Sequence, residues 1–238
     1  MKIKILYEDK DILVIDKPEG IAVHPDGRSK AKTITDWVVA NYPKLKGVGE
    51  PIKFNDREID RPGIVHRLDK ETSGVLVVVK NAKVFEYFKQ QFMDRKIKKV
   101  YHAVVSGWPK NDKGVINKPI GRSPSDFRRR LAGRGARGEL REAVTEYKVL
   151  KRFSDKKKNK FSYLEIYPKT GRTHQIRVHM KFLSFPVVGD MLYAPNMPVP
   201  SPIKRMMLHA KSIEFKNPKG KSIKIESDLP KEFKGLIK

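Results

Sequence analysis

The chain has 238 residues and no cysteine, and its 52 Lys and Arg against 27 Asp and Glu give a formal net charge of +25. Such a surplus speaks of partners rather than fold, and points to phosphate backbones or anionic surfaces. Disulfides and thiolate metal sites are excluded, no apolar stretch reaches the roughly 20 residues of a spanning helix, and the opening MKIKILYEDKDILVIDKP lacks the apolar core and cleavage site of a signal peptide. The expectation is a soluble, cytoplasmic protein that binds a polyanion, nucleic acid before membrane. A monomer is the default, because the charge gives no sign of a self-complementary patch.

KIKILYEDKDILVIDKPEG predicts two short alternating strands joined by an Asp-rich turn, with Pro18 and Gly20 as breakers. TITDWVVANYPKL places Ile34, Trp37, Val38 and roughly Tyr42 at helical spacing behind a cap at Thr33 or Thr35. Residues 47–65, rich in Gly, Pro and charge, read as loop. Val75–Val79 reads as a buried strand. NAKVFEYFKQQFMDRKI follows as a helix, capped by Asn81, with Val84, Phe85, Phe88 and Phe92 in one stripe. KKVYHAVVSGW returns as a strand.

Residues 121–141, GRSPSDFRRRLAGRGARGELR, hold seven Arg and four Gly with few apolar anchors, and read as a mobile cationic arm. EAVTEYKVLKRF and KFSYLEIYPKT predict a hairpin across the polar turn SDKKKN. GRTHQIRVHMKFLSF predicts a helix capped by Thr173, with Ile176, Met180 and Leu183 on one face. The tail predicts two strands around NPKG. Strands and helices mix without βαβ alternation, so the expected class is α+β, with a mixed, largely antiparallel central sheet flanked by helices. No repeat or linker is visible, and a single domain over residues 1–238 is expected.

HRLDKETSG (His66–Gly74) stands directly before the apolar run VLVVV. Charges brought to the mouth of a buried strand are costly unless partnered. Alone, Asp69 reads as a turn carboxylate pairing with Arg67 or Lys70. Its company argues for more, because a carboxylate among fixed cations stays ionised and suits a nucleophile or base. The second unusual stretch is TGRTHQIRVHM (Thr170–Met180), where Arg172 and Arg177 crowd a helix start. An arginine at the border of an apolar face reaches inward to a carboxylate as a two-pronged partner, or simply snorkels.

Other chemistries find little footing. Of the six histidines (His24, His66, His102, His174, His179, His209), His174 and His179 are five positions apart, about 140° around a helix, and cannot share one ion. No phosphate-binding or dinucleotide glycine motif is present, and ETSG lacks the first glycine of a nucleophile elbow. A metal-dependent nuclease needs clustered carboxylates, which the sequence does not show. No metal, cofactor or nucleotide is expected. Tyr101 shares a strand face with Ala103 and Val105 and by itself reads as a core or rim tyrosine.

Together these segments resemble the RluA-type family of pseudouridine synthases. DKPEGIAVHP (Asp16–Pro25) resembles the family's first signature, and HRLDKETSG the second, which carries the catalytic aspartate. KKVYHAVVSG resembles the segment of the active-site tyrosine, and TGRTHQIRVHM, FPVVGDMLY and RMMLHAKSIEF the later ones, in order, over roughly residues 6–216. The first signature begins at residue 16, so the small RNA-binding domain that precedes it in some relatives is not expected here.

The resemblance implies a single pseudouridine synthase domain with a catalytic cleft, isomerising uridine in ribosomal or transfer RNA. Asp69 would act on the ribose or the base, by covalent attack or by removing a sugar proton. Arg177 would pair with Asp69 and keep it charged, and Tyr101 would stack on the uracil. Arg67 would fill the space left by the flipped nucleotide. His66, Arg172 and the arm residues Arg128, Arg129 and Arg130 would contact RNA, whose shape would guide the choice of site. The rival reading is a non-catalytic RNA-binding protein. Basic charge suits it equally well, but it has no need of Asp69, Tyr101 and Arg177.

Overall fold

The N-terminal alternation forms two antiparallel strands, β1 (Lys4–Glu8) and β2 (Ile12–Lys17). Asp9 closes the turn between them, its carboxylate accepting the N–H groups of Asp11 and Ile12 at 2.8 and 2.7 Å. The computed structural model describes residues 1–25, 29, 31–54, 57–133 and 135–237. The chain divides into two compact units, one of Met1–Lys98 with Ser212–Asp228, the other of Lys99–Lys211 with Leu229–Lys238.

In the first unit, α1 (Ile34–Asn41) starts at Thr33, which accepts the N–H of Asp36 while the Asp36 carboxylate accepts that of Thr33. The stretch expected as loop contains a short hairpin, β3 (Ile52–Phe54) and β4 (Arg57–Ile59). Strands of three residues are too brief to show a period in the sequence. The apolar run extends two residues N-terminally into β5 (Ser73–Val79), all seven residues buried and antiparallel to β2. Asn81 caps α2 (Ala82–Met93), accepting the Val84 N–H at 3.0 Å. Val84, Phe85 and Phe88 then pack on Val75, Val77 and Val79. Burial of each of these side chains stabilises the fold by about 1.5–3 kcal/mol.

The second unit is built on β6 (Lys98–Ser106), β7 (Lys113–Asn117), β8 (Ile120–Arg122), β9 (Arg130–Ala132), β10 (Arg137–Arg141), β11 (Val144–Ser154) and β12 (Lys160–Pro168). The sheet order β6-β12-β11-β7 is antiparallel throughout, and the β11/β12 hairpin falls where the sequence predicts it. The helix α3 (Gln175–Phe182) lays Ile176 and Met180 on Ala103, Val105, Leu164 and Ile166. Its cap is not Thr173. The residue before the helix is His174, in the left-handed region at φ 56°, with no side-chain cap bond. A non-glycine residue held there stores strain, and such strain gathers at functional sites.

The last strands, β13 (Leu208–Lys216) and β14 (Ser222–Glu226), form the expected antiparallel pair, and β13 passes from the second unit into the first between Lys211 and Ser212. The terminal helix α4 (Lys231–Ile237) buries Phe233 among Val104, Phe161 and Tyr163. The class is α+β with a mostly antiparallel sheet.

Residues 121–141 depart from the mobile arm that their composition predicts. They form a three-stranded antiparallel sheet, β10-β8-β9. Ile120 and Ala132 pack inward on Val178 and Tyr193 while the five residues of β10 are exposed. Two small apolar anchors hold one face of a sheet whose other face is solvated, so a low apolar count does not reveal the strands.

Candidate active site

Within the first unit, the position of HRLDKETSG follows from how the chain doubles back on β5. Val79 N–H donates to Gly63 O at 2.9 Å, Ile64 bridges Val78 antiparallel, and Val77 N–H donates to His66 Nε2 at 2.9 Å. Residues 67–72 are therefore the reversal between two antiparallel runs. Gly63 is required there, because a Cβ would stand 2.3 Å from Val79 O. Leu68 and Thr72 are buried and pin the reversal, Arg67, Lys70 and Glu71 are exposed, and Asp69 lies half-buried between them. Thr72 N–H closes the turn on Asp69 O at 3.1 Å. The charges before the strand are carried by a loop that the strand itself anchors.

Two residues that the sequence did not single out by role hold this loop. Lys17 is fully buried, and its Nζ donates to the carbonyls of Pro18, Ile21 and Lys70 at 2.8, 2.7 and 3.1 Å. It ties the first signature to the residue after Asp69. Burying an ammonium is costly without such compensation. His24 Nδ1 lies 3.0 Å from Pro25 O, a pure acceptor, so Nδ1 carries the proton and Nε2 receives Arg67 Nη1 at 3.1 Å. The guanidinium of Arg67 is thereby aimed before any ligand arrives. Arg61 is nearby: burial lowers its pKa, and the positive charge of Arg67 adds to that effect. His66, expected as an RNA contact, is engaged by the framework through Val77 and through its ring stacked on Phe92 at 5.1 Å. The only advance signal for Lys17 and His24 was their place in DKPEGIAVHP.

In the second unit, TGRTHQIR is held by side chains. Val144 N–H donates to Thr170 Oγ1 at 3.0 Å, and Thr170 Oγ1 donates to Gln175 Oε1 at 2.7 Å, which also accepts the Arg172 N–H. Gln175 Nε2 donates to Thr145 Oγ1, which lies 2.9 Å from His179 Nδ1, and His179 Nε2 lies 3.0 Å from Lys118 O. Because Lys118 O only accepts, Nε2 carries the proton and Nδ1 accepts from Thr145. Burial pushes the His179 pKa below its ordinary 6.5 and keeps the ring neutral. Arg172 Nε donates to Glu142 O at 2.9 Å.

Arg177 is 4% exposed, and two of its nitrogens meet Asp190: Nε to Oδ2 at 2.7 Å and Nη2 to Oδ1 at 2.8 Å. Asp190 Oδ1 also accepts the N–H groups of Leu192 and Tyr193. Asp190 is the buried carboxylate that an inward-reaching arginine needs, and the sequence analysis left it unassigned. Its signal lay in VVGD, since a Cβ on Gly189 would stand 2.2 Å from Arg205 O, so that turn requires glycine. His174 and His179 bond to separate partners, and among the described residues no group of three or more His, Asp or Glu side chains is placed to hold a metal ion.

Tyr101 lies on β6 opposite Ile166 and packs against the Ala103–Val105 core, as its strand face predicts. Two residues earlier on the same face, Lys99 Nζ donates to Thr170 O at 3.2 Å, and burial lowers its pKa to about 8. At the tip of the arginine-rich sheet, Asp126 takes Arg128 in a two-pronged pair at 3.0 and 2.9 Å, with Arg129 Nε 3.5 Å away. The hydrogen bonds from Arg128 hold the Asp126 carboxyl down to about 2. Arg130 Nη1 bonds to the carbonyls of Phe127 and Arg129, and Phe127 itself is 68% exposed. The structure thus groups Arg67 with Asp69 in the first unit, and Tyr101, Arg172, Arg177 and Arg128–Arg130 in the second.

Comparison with known proteins bears on what this geometry serves. The model of a family described as RNA pseudouridylate synthase matches residues 11–182. An uncharacterized RNA pseudouridine synthase of Bacillus subtilis is 37% identical over 238 residues, 100% of this chain and 72% of its own length. The ribosomal large subunit pseudouridine synthase D of Borreliella burgdorferi is 40% identical over 97% of this chain and 66% of that protein. Among solved structures, human RNA pseudouridylate synthase domain containing 1 aligns with a TM-score of 0.76 at 25% identity, over 96% of this chain and 84% of that one.

Proposed function

The chain belongs to the RNA pseudouridylate synthase family, and from that premise we propose that it converts specific uridines of ribosomal RNA to pseudouridine, with Asp69 as the essential carboxylate. The family makes it an isomerase acting on RNA. Ribosomal RNA is favoured over transfer RNA because several relatives that match nearly all of this chain are named as synthases of the ribosomal large subunit.

The reaction balances within the substrate. The bond between C1′ and N1 of uracil breaks, the ring turns, and a bond between C1′ and C5 forms. C5 loses a proton and N1 gains one, so neither electrons nor a group enter or leave. Asp69 starts this by acting on the ribose or the base. Both a covalent adduct and removal of a sugar proton conserve atoms. In this reading Arg177 keeps the carboxylate charged and Tyr101 stacks on the uracil and helps remove the C5 proton. The observation that carries the proposal is the anchored reversal at 67–72, which presents a half-buried carboxylate on a main chain fixed by Lys17 and β5. Electrostatic and positional preorganisation of this kind lowers barriers without reorganisation during the reaction.

A uridine paired or stacked in RNA must leave its stack to meet such a carboxylate. Arg67, exposed and aimed by His24, suits the role of filling the vacancy, and the basic surface suits the phosphates.

The test is a base-by-base pseudouridine map. Unmodified ribosomal and transfer RNA transcripts are incubated with the wild type and with Asp69→Ala, without added metal or nucleotide. Sites in ribosomal RNA that appear only with the wild type support the proposal and name its substrate. Sites confined to transfer RNA overturn the substrate, and equal maps from both proteins overturn the role of Asp69.

A further inference from the structure

Tyr193 touches both the arginine-rich sheet and the helix bearing Arg177 in the second unit. Tyr193 is 7% exposed and lies among Ile120, Ala143 and Val178, a setting that phenylalanine would fill equally well. A buried hydroxyl is costly unless it is hydrogen-bonded, and this one has partners on two elements. Arg130 N–H, at the start of β9, donates to it at 2.9 Å, and His174 Nδ1, at the start of α3, lies 2.9 Å from it. The ring meets the His174 imidazole edge-on at 85°, and the Arg177 guanidinium carbon lies 5.1 Å from its centroid. The main-chain N–H of Tyr193 donates to Asp190 Oδ1 at 3.1 Å, on the carboxylate that grips Arg177.

We propose that Tyr193 is a positioning residue that couples the arginine-rich sheet to Arg177, so that RNA held by the sheet fixes the guanidinium for the reaction. The proposal rests on the pseudouridine synthase reading. The tip Ser123–Arg129 leads directly into Arg130, so a displacement of the tip acts on the N–H that the Tyr193 hydroxyl receives. The hydroxyl passes it to His174, whose left-handed backbone leaves little slack before α3, and the ring face passes it to Arg177. A guanidinium bound on one side by a rigid carboxylate and on the other by an aromatic face has few alternative rotamers.

The experiment is a double-mutant cycle of Tyr193→Phe with the tip variant Arg128→Ala/Arg129→Ala. On an RNA that the wild type modifies, both the Kd and the single-turnover rate at saturating RNA are measured. Tyr193→Phe should lower the saturated rate about 10-fold and leave Kd within about 2-fold, the size of coupling seen between packed sites. The tip variant should weaken Kd in both backgrounds, yet lower the saturated rate only when Tyr193 is present. Rate losses that multiply, or a Tyr193→Phe rate equal to wild type, overturn the coupling. General destabilisation by Tyr193→Phe would leave the tip's rate penalty in place, and so also counts against it. A wild type that makes no pseudouridine in any transcript overturns the parent reading instead, and is told apart by the silence of the unmodified protein.

Discussion

The loop that carries Asp69 is held through its main chain, whereas the loop that leads to Arg177 is held through its side chains. In the first, Lys17 binds the carbonyl of Lys70 and Gly63 pairs with Val79. In the second, Thr170, Gln175, Thr145 and His179 bond to one another in sequence, and Arg177 is clasped by Asp190. The first loop rests chiefly on its main chain, helped by the side chains of His66, Leu68 and Thr72, and presents its charged side chains between these anchors. A loop fixed by its side chains fails when any one of them is replaced. The first arrangement suits a residue that must react, the second a residue that must stay charged and still.

The strongest test of this contrast replaces one carboxylate in each loop. Asp69→Ala should reduce pseudouridine formation below about one thousandth of wild type while thermal unfolding changes little, since the loop's anchors are elsewhere. Asp190→Ala should lower turnover and stability together. It removes the carboxylate that takes two Arg177 nitrogens in a buried pair, and should cost about 3–5 kcal/mol of stability in urea unfolding. An Asp190→Ala protein as stable as wild type would break the comparison.

Next in size is Lys17→Met, which keeps length and removes the buried donor to three carbonyls. Hydrogen bonds from a charged donor set the expected loss at about 3 kcal/mol. Turnover should fall with it while RNA affinity holds, because Asp69 moves and the phosphate contacts do not. Unchanged turnover would mean that β5 alone fixes the loop.

The same contrast explains what was legible in the sequence. Elements with a full period, such as α2 and β11, were readable because burial imposes periods of 3.6 and 2 along the chain, and β2, an apolar run buried on both faces, was readable as a strand. The β8–β10 sheet was not, since its exposed face carries Arg and Gly and only Ile120 and Ala132 mark the buried one. At the site, Asp69 and Arg177 stood out as charges beside apolar runs. Their supports did not. Lys17 looks like any lysine until its three carbonyls are found, and Asp190 lies 13 residues from Arg177, past the end of the helix whose period could have linked them. Hydrogen bonds between segments far apart leave no period to read.

A smaller effect separates the two loops by pH. His179 lies in the side-chain network with its pKa pushed below 6.5 by burial. As pH falls through that ordinary value, the unfolded chain takes up a proton that the folded chain refuses. Stability from this group is therefore full above about 6.5 and is lost as pH drops toward the lowered value. Urea midpoints at pH 7.5 and 5.5 should fall more for wild type than for His179→Gln, which offers Lys118 a donor without the titration. Equal falls would place the acid sensitivity outside this network.

The smallest expected change concerns the tip of the arginine-rich sheet, and it distinguishes a folded RNA grip from a solvated charge run. Asp126 already pairs with Arg128, so part of the positive charge at the tip is neutralised within the loop. If the pair serves to hold the guanidinium in a fixed direction, Arg128 still meets a phosphate, and the logarithm of affinity against the logarithm of salt should become shallower by about one in Arg128→Ala. Asp126→Asn then gives the opposite signs for two physical roles. A tip that works by net charge alone binds RNA more tightly once the carboxylate is gone. A tip that works by direction binds more weakly, although the chain has become more positive, because the arginine has lost the partner that aims it.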